Sequence, residues 1–170
     1  MEDKKVRLVD VNTDNFDKLI ALNPTKEQKN FVAPNIYSLA EAYANVAEGK
    51  YAKPFGIYAG DKPVGFLMIG YVDKDEEPDE DEEYLDFIPG SYLIWRFMID
   101  KKKQGKGYGK EAMRLALDFI RTFPCGESKC CWLSYEPENE VAKNLYASFG
   151  FREWPYMPRG WDEIPAVLEL

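Results

Sequence analysis

Histidine is missing from all 170 residues, and that absence excludes Ser-His-Asp triads, imidazole general bases and His-ligated zinc sites. Proton transfer is left to Asp, Glu, Tyr, Cys and Lys. Cysteine is scarce: Cys125, Cys130 and Cys131 form no C-x-x-C pair, so neither a redox dithiol nor a metal knuckle is expected, and no metal is assigned. Long apolar runs are lacking as well. The longest, near residues 66–69, is far short of a membrane span, and Met1-Glu2-Asp3-Lys4-Lys5 leads into a strand-like segment instead of a signal-peptide core. These features lead us to expect a soluble, cytoplasmic protein in a reducing compartment, with no membrane partner.

What is present is the ordinary balance of one globular domain over residues 1–170: 45% hydrophobic residues, with 22 Lys+Arg against 30 Asp+Glu. The net charge of −8 is unevenly spread. Ten acids and a single base, Lys74, fall between Asp73 and Asp86, so this segment carries −9 and the rest of the chain is close to neutral. No basic face offsets that run, which argues against nucleic acid as a partner.

The hydrophobic period alternates as a strand over residues 6–11, and residues 54–59 and 64–69 read as strands flanking a hairpin signal at Gly60-Asp61-Lys62-Pro63. A short helix is expected over residues 15–22. A second, over 37–48, follows from the spacing of Ile36, Leu39, Ala40, Tyr43 and Ala47. Residues 92–99 form an apolar strand expected to be buried on both faces. A helix with Met113, Leu117 and Ile120 on one stripe runs to Pro124, and a strand over 130–135 follows. The last helix carries Val141, Ala142, Leu145, Tyr146 and Phe149 and ends at Gly150, before strands over 151–154 and 164–170.

Between the buried strand and the long helix lies Gln104-Gly105-Lys106-Gly107-Tyr108-Gly109-Lys110, preceded by Lys101, Lys102 and Lys103. Glycines let backbone N–H groups approach an oxyanion, the helix N-terminus adds about half a positive charge, and the lysines add more, so phosphate or pyrophosphate is the expected guest. Two nucleotide motifs fail. Gly105 and Gly109-Lys110 stand one residue too close for a Walker A loop, and Lys110 occupies the third glycine position of a dinucleotide fingerprint.

The succession of strand, Gln104-x-x-Gly107-x-Gly109, helix, strand, then Asn139 and Tyr146-x-x-x-Gly150-Phe151, resembles the GNAT superfamily of N-acetyltransferases. Within it, the general pattern is most similar to the small bacterial spermine/spermidine acetyltransferases. The resemblance implies an α/β (α+β) fold, a mixed, mostly antiparallel twisted sheet flanked by helices. It implies acetyl-CoA as cosubstrate, bound by residues 104–110, with the pantetheine arm along Phe97, Met98 and Ile99. Asn139 would touch the cofactor, although Asn is equally suited to capping a helix there. Tyr146 would protonate the departing thiolate, its alternative being a core aromatic.

Acetyl transfer to a primary amine by direct attack is the implied reaction, and a small amine or polyamine the implied acceptor. A protein, peptide or antibiotic amine and a non-catalytic acyl-CoA-binding module are the alternatives, and a homodimer is allowed. The base is open, because Trp95 and Arg96 stand where some polyamine acetyltransferases have acids. Glu136, Asp86 and a water chain are the candidates. The acidic run would either be a solvated loop or gather a polycationic acceptor, aided by the rings of Trp95, Trp154 or Trp161.

Overall fold

The computed structural model describes residues 5–77 and 80–170. Met1, Glu2, Asp3 and Lys4, and Asp79 of the acidic run, lie outside them. In chain order the elements are β1 (Val6–Asp10), α1 (Phe16–Ile20), α2 (Asn35–Ala47), β2 (Tyr51–Ala59), β3 (Lys62–Val72), β4 (Ser91–Ile99), α3 (Tyr108–Ile120), β5 (Cys130–Tyr135), α4 (Glu140–Ser148), β6 (Arg152–Glu153) and β7 (Ile164–Glu169). The strands make one seven-stranded sheet in the order β1-β2-β3-β4-β5-β7-β6. Only β4 and β5 run parallel; the other neighbours are antiparallel. The mixed, mostly antiparallel sheet expected from the sequence is therefore present.

Apolar alternation decides which face each strand buries. Along β3, Leu67 and Ile69 point into the larger core with α3, while Phe66 and Met68 point into a smaller core on the opposite face. Both faces are covered, which is why β3 is one continuous apolar run. The stripe of α3, Ala112, Met113, Ala116, Leu117 and Ile120, is fully buried against the first face. Pro54 lies inside β2 but beyond the last residue paired with β1, Phe55, so its missing N–H costs no bond to that neighbour.

Two expectations need correction. In α2 the helical period holds but its phase differs: Asn35, Ser38 and Ala42 are buried, while Ile36 is 62% and Tyr43 78% exposed. The polar Asn35 faces inward because its Nδ2 donates to the Leu19 carbonyl at 2.8 Å, closing the end of α1. Strand β4 is not buried on both faces either. Leu93, Trp95, Arg96, Phe97 and Ile99 are half-buried, for reasons that lie in its pairing.

Met68 is opposite Arg96 and Ile69 is opposite Ile94, so Trp95 is an extra residue on β4, a β-bulge. A one-residue insertion inverts the side-chain phase. Tyr92 and Ile94 face the larger core before it; Phe97 and Ile99 pack against that same core after it, and Met98 turns to the other. On the opposite edge β4 pairs with β5 only through Tyr92↔Cys131 and Leu93↔Trp132. Past those pairs the two strands part.

Candidate active site

The parting of β4 and β5 opens the sheet, and two cavities meet in the gap. The first, of about 440 Å³, lies beneath the glycine loop between Phe97–Ile99 and the apolar side chains Val141, Ala142 and Leu145 of α4. Of the residues expected to bind the cofactor, Phe97, Met98, Ile99, Gln104, Gly105, Gly107, Tyr108, Gly109, Lys110 and Asn139 all line it. Lys106 is on the loop but exposed and outside the lining. Val141, expected on a buried stripe, is 69% exposed because it faces this open cleft instead of the core.

The loop is built to leave its backbone bare. Gly105 and Gly107 have φ of +72° and +79°, and a Cβ at either would meet nothing within 4 Å. Gly107 is the N-cap of α3, whose first N–H groups have no partner within the helix and point into the cleft mouth. Asp100, buried at the end of β4, organises the approach: its carboxylate accepts from the N–H groups of Lys102 and Asn23 at 3.0 and 3.1 Å. The Gln104 amide donates to the Ile99 carbonyl at 3.0 Å and to Gln28 Oε1 at 2.7 Å. Its side chain therefore braces the loop, and backbone N–H groups and lysines are the donors left at its surface. Gln28 and Asp100 carry no signal in the sequence that would have singled them out.

The second cavity, of about 660 Å³, lies on the far side of the gap. Phe97, Asn139 and Tyr146 line both cavities and stand at their junction. Asn139 caps α4, its Oδ1 accepting from the Ala142 N–H at 3.2 Å, while its Nδ2 makes no hydrogen bond among the described residues. Tyr146 is 8% exposed, its ring held by Tyr135 and Phe151 at centroid distances of 5.6 and 6.1 Å. Its hydroxyl makes no hydrogen bond among the described residues. Burial, and then the Glu163 carboxylate, push the phenol far above its ordinary range, so it stays protonated through neutral pH.

Acids and tryptophans wall this chamber. Glu76, Glu77, Glu82 and Glu83 of the acidic run line one side, with Trp161, Asp162 and Glu163 beside them and Trp95 and Trp132 on the strands. Arg96 also lines it, but its guanidinium is taken by Glu41 at 2.8 Å. Two expected residues are placed elsewhere. Asp86 is exposed and outside the lining, because the chain turns inward at Leu85 and Ile88 and leaves Asp86 on the outer side. Glu136 is half-buried near Asp162 and Glu163 but does not line the chamber; burial first and then those carboxylates raise its pKa. Trp154 packs on Phe87 at 5.0 Å, away from the chamber.

Two loops far apart in the chain are clasped together to make that wall. The Glu83 carboxylate accepts from the Tyr156 hydroxyl at 2.7 Å and the Arg159 N–H at 3.0 Å, the Glu83 N–H donates to the Arg159 carbonyl at 2.7 Å, and Trp161 Nε1 donates to the Glu83 carbonyl at 3.0 Å. These bonds hold the Glu83 carboxyl below the usual range. Gly160, at φ +85°, permits the approach: a Cβ there would lie 2.6 Å from the Asp81 carbonyl. Gly160→Ala is expected to destabilise the protein by about 1–3 kcal/mol more than Gly49→Ala does. Gly49 has a similar φ of +81° and open space around it, so equal urea midpoint losses would show that the close approach carries no cost.

Comparison with known proteins bears on this site. A model of the acetyltransferase (GNAT) family matches residues 21–151. The chain belongs to that family. It is 31% identical over 143 residues to a probable spermine N(1)-acetyltransferase of Bacillus subtilis subsp. natto (strain BEST195), covering 84% of each chain. It is 30% identical, over the same coverage, to a spermine/spermidine N(1)-acetyltransferase of Bacillus subtilis (strain 168). An aminoglycoside acetyltransferase solved with coenzyme A has the same fold, with a TM-score of 0.72, 17% identity and coverage of 97% of this chain and 95% of that one. This GNAT chain is an acetyl-CoA-dependent N-acetyltransferase. The bare glycine turns and the apolar trough leading from them fit a pyrophosphate with a long, uncharged arm.

Proposed function

We infer that the chain acetylates a primary amine of a small, linear polycation of the polyamine class. One observation carries the reading: the chamber joined to the cofactor cleft at Tyr146 is lined by six carboxylates and three tryptophans, and its one arginine is already paired. Carboxylates favour repeated positive charge, and indole faces take alkylammonium groups and their methylene spacers. The spermine/spermidine acetyltransferase names of the relatives at 30–31% identity support it.

Acetyl-CoA supplies an activated acetyl thioester. In this reading Gly105, Gly107 and the first N–H groups of α3 hold its pyrophosphate, and Phe97, Met98 and Ile99 orient the arm. Asn139 Nδ2 donates into the junction, and the Tyr146 hydroxyl protonates the sulfur as it leaves. The bulge at Trp95 is what turns Phe97 and Ile99 toward the cleft.

An acceptor panel tests the proposal by release of free thiol. Spermidine and spermine are expected to show kcat/KM at least about tenfold above a monoamine of equal length. Equal values, or a preference for a peptide or aminoglycoside amine, would overturn the polyamine reading. A sharper test replaces Glu77 and Glu82 together with Gln. KM for spermidine is expected to rise about threefold to tenfold, that for a monoamine less than about twofold. Because exposed charges are screened beyond about 8 Å at physiological salt, the difference should shrink in 0.5 M salt. Equal shifts for both amines would leave these carboxylates as a solvated edge.

A further inference from the structure

An ammonium cannot attack a thioester. With a pKa near 10, only about one amine in a thousand is free at pH 7, so the chamber needs a proton acceptor close to the junction. Six acids line it, and their surroundings separate them. Glu76 is paired with Lys50 at 2.6 Å. Glu83 is consumed by the clasp. Glu77, Glu82 and Asp162 are exposed at the rim. Glu163 alone is half-buried with no cation beside it among the described residues; its partner is the Ser134 hydroxyl, which donates to Oε2.

The fold also brings Glu163 to the junction. Tyr135 pairs with Ile164, so Glu163 enters β7 beside the end of β5. Ser134, which holds it, adjoins Tyr135, and the Tyr135 ring touches that of Tyr146 at 5.6 Å. The charge of Glu163 is felt at the Tyr146 phenol, a second sign that the two groups are near neighbours.

We propose that Glu163 is the general base of the acetyl transfer, taking the proton from the acceptor ammonium while Ser134 positions its carboxylate. The inference rests on the acetyl-transfer reading above. The nitrogen loses two protons as the amide forms. The first goes to Glu163 and on to water, leaving the lone pair that makes the C–N bond as the C–S bond breaks. The second replaces the proton that Tyr146 gives to the sulfur. The net products are amide, free thiol and one proton.

Several titratable groups face Glu163. They are Tyr146 from α4, Glu136 at the end of β5, Asp162 next in the chain, and the carboxylates of the acidic wall across the chamber. Arg96, on β4, is neutralised by Glu41.

The test is the pH profile of kcat/KM for Glu163→Gln with spermidine, beside CoA affinity by calorimetry. CoA affinity is expected to match wild type. Turnover at pH 7 is expected to fall about 10²-fold, and the deficit to close to within about threefold near pH 10, where the amine is free without help. A fluorinated ethylamine, whose ammonium ionises near neutrality, should be acetylated at pH 8 by the variant within about threefold of wild type. Glu163→Asp should keep the wild-type pH slope, and Ser134→Ala should show a deficit that closes toward pH 10 as that of Glu163→Gln does, but smaller at pH 7. A deficit that is independent of pH and of the amine, or no deficit, overturns the assignment. Were wild type to release no thiol with any amine, the acetyl-transfer reading itself would fall, which separates the two.

Discussion

Tyr146→Phe is expected to lower kcat by about 10²-fold while leaving the dissociation constant for CoA unchanged. The substitution removes one oxygen and nothing else. The ring stays between Tyr135 and Phe151, so the core that α4 closes keeps its packing. The hydroxyl has no protein partner to lose among the described residues, so no buried group is orphaned by the change. What disappears is the donor at the junction of the two cavities. Because burial and Glu163 keep that phenol protonated, wild-type activity should not fall on the alkaline side from loss of the donor before pH 10. Wild-type turnover in the Phe variant would reduce Tyr146 to a packing residue.

Gly107→Glu is expected to abolish measurable CoA binding, a loss of at least about 10³-fold, with the fold retained. Three effects add. A side chain at φ +79° costs about 1–2 kcal/mol in that backbone conformation. The carboxylate places a negative charge at the proposed pyrophosphate site, and it competes for the helix N-terminal N–H groups that would serve the phosphate. Gly107→Ala separates the first effect from the others, since its Cβ would meet nothing within 4 Å. The Ala variant should bind CoA about fivefold to thirtyfold more weakly than wild type, the equilibrium equivalent of that backbone cost. Calorimetry on both variants decides it, and CoA affinity in the Glu variant within tenfold of wild type would remove the loop from the cofactor site.

The parts of this molecule that were legible in the sequence are those where one local rule acts alone. Apolar runs on either side of a hairpin signal announced β2 and β3 because both faces of those strands are largely buried, and the 3.6-residue stripe announced α3 because it packs on the sheet. Glycine spacing announced the bare turn before α3 because positive φ is reached most easily by glycine. The rest depended on partners far away in the chain. The bulge at Trp95 has no glycine or proline to mark it; it exists only in the register with β3. The buried face of α2 is set by Asn35 reaching the end of α1, which no apolar count anticipates. Asp86 and Glu136 were reasonable acids by position, yet the chamber takes Glu82, Glu83 and Glu163 instead, because the clasp folds residues 80–84 onto 156–161.

The split between β4 and β5 is also a mechanical seam. Two residue pairs are all that ties the strands β1–β4 to β5–β7 within the sheet, and below them the halves are joined by side-chain packing instead of ladder hydrogen bonds. Sub-global opening should therefore begin along this line, ahead of global unfolding. A molecule seated in the cleft touches both lips, Phe97 to Ile99 on one and Val141 and Leu145 on the other. Its occupancy at a hundred times the dissociation constant adds about 2.7 kcal/mol to the folded state by mass action. That stabilisation acts along one line through the molecule, so a cosubstrate held there would brace the seam that the strands leave open.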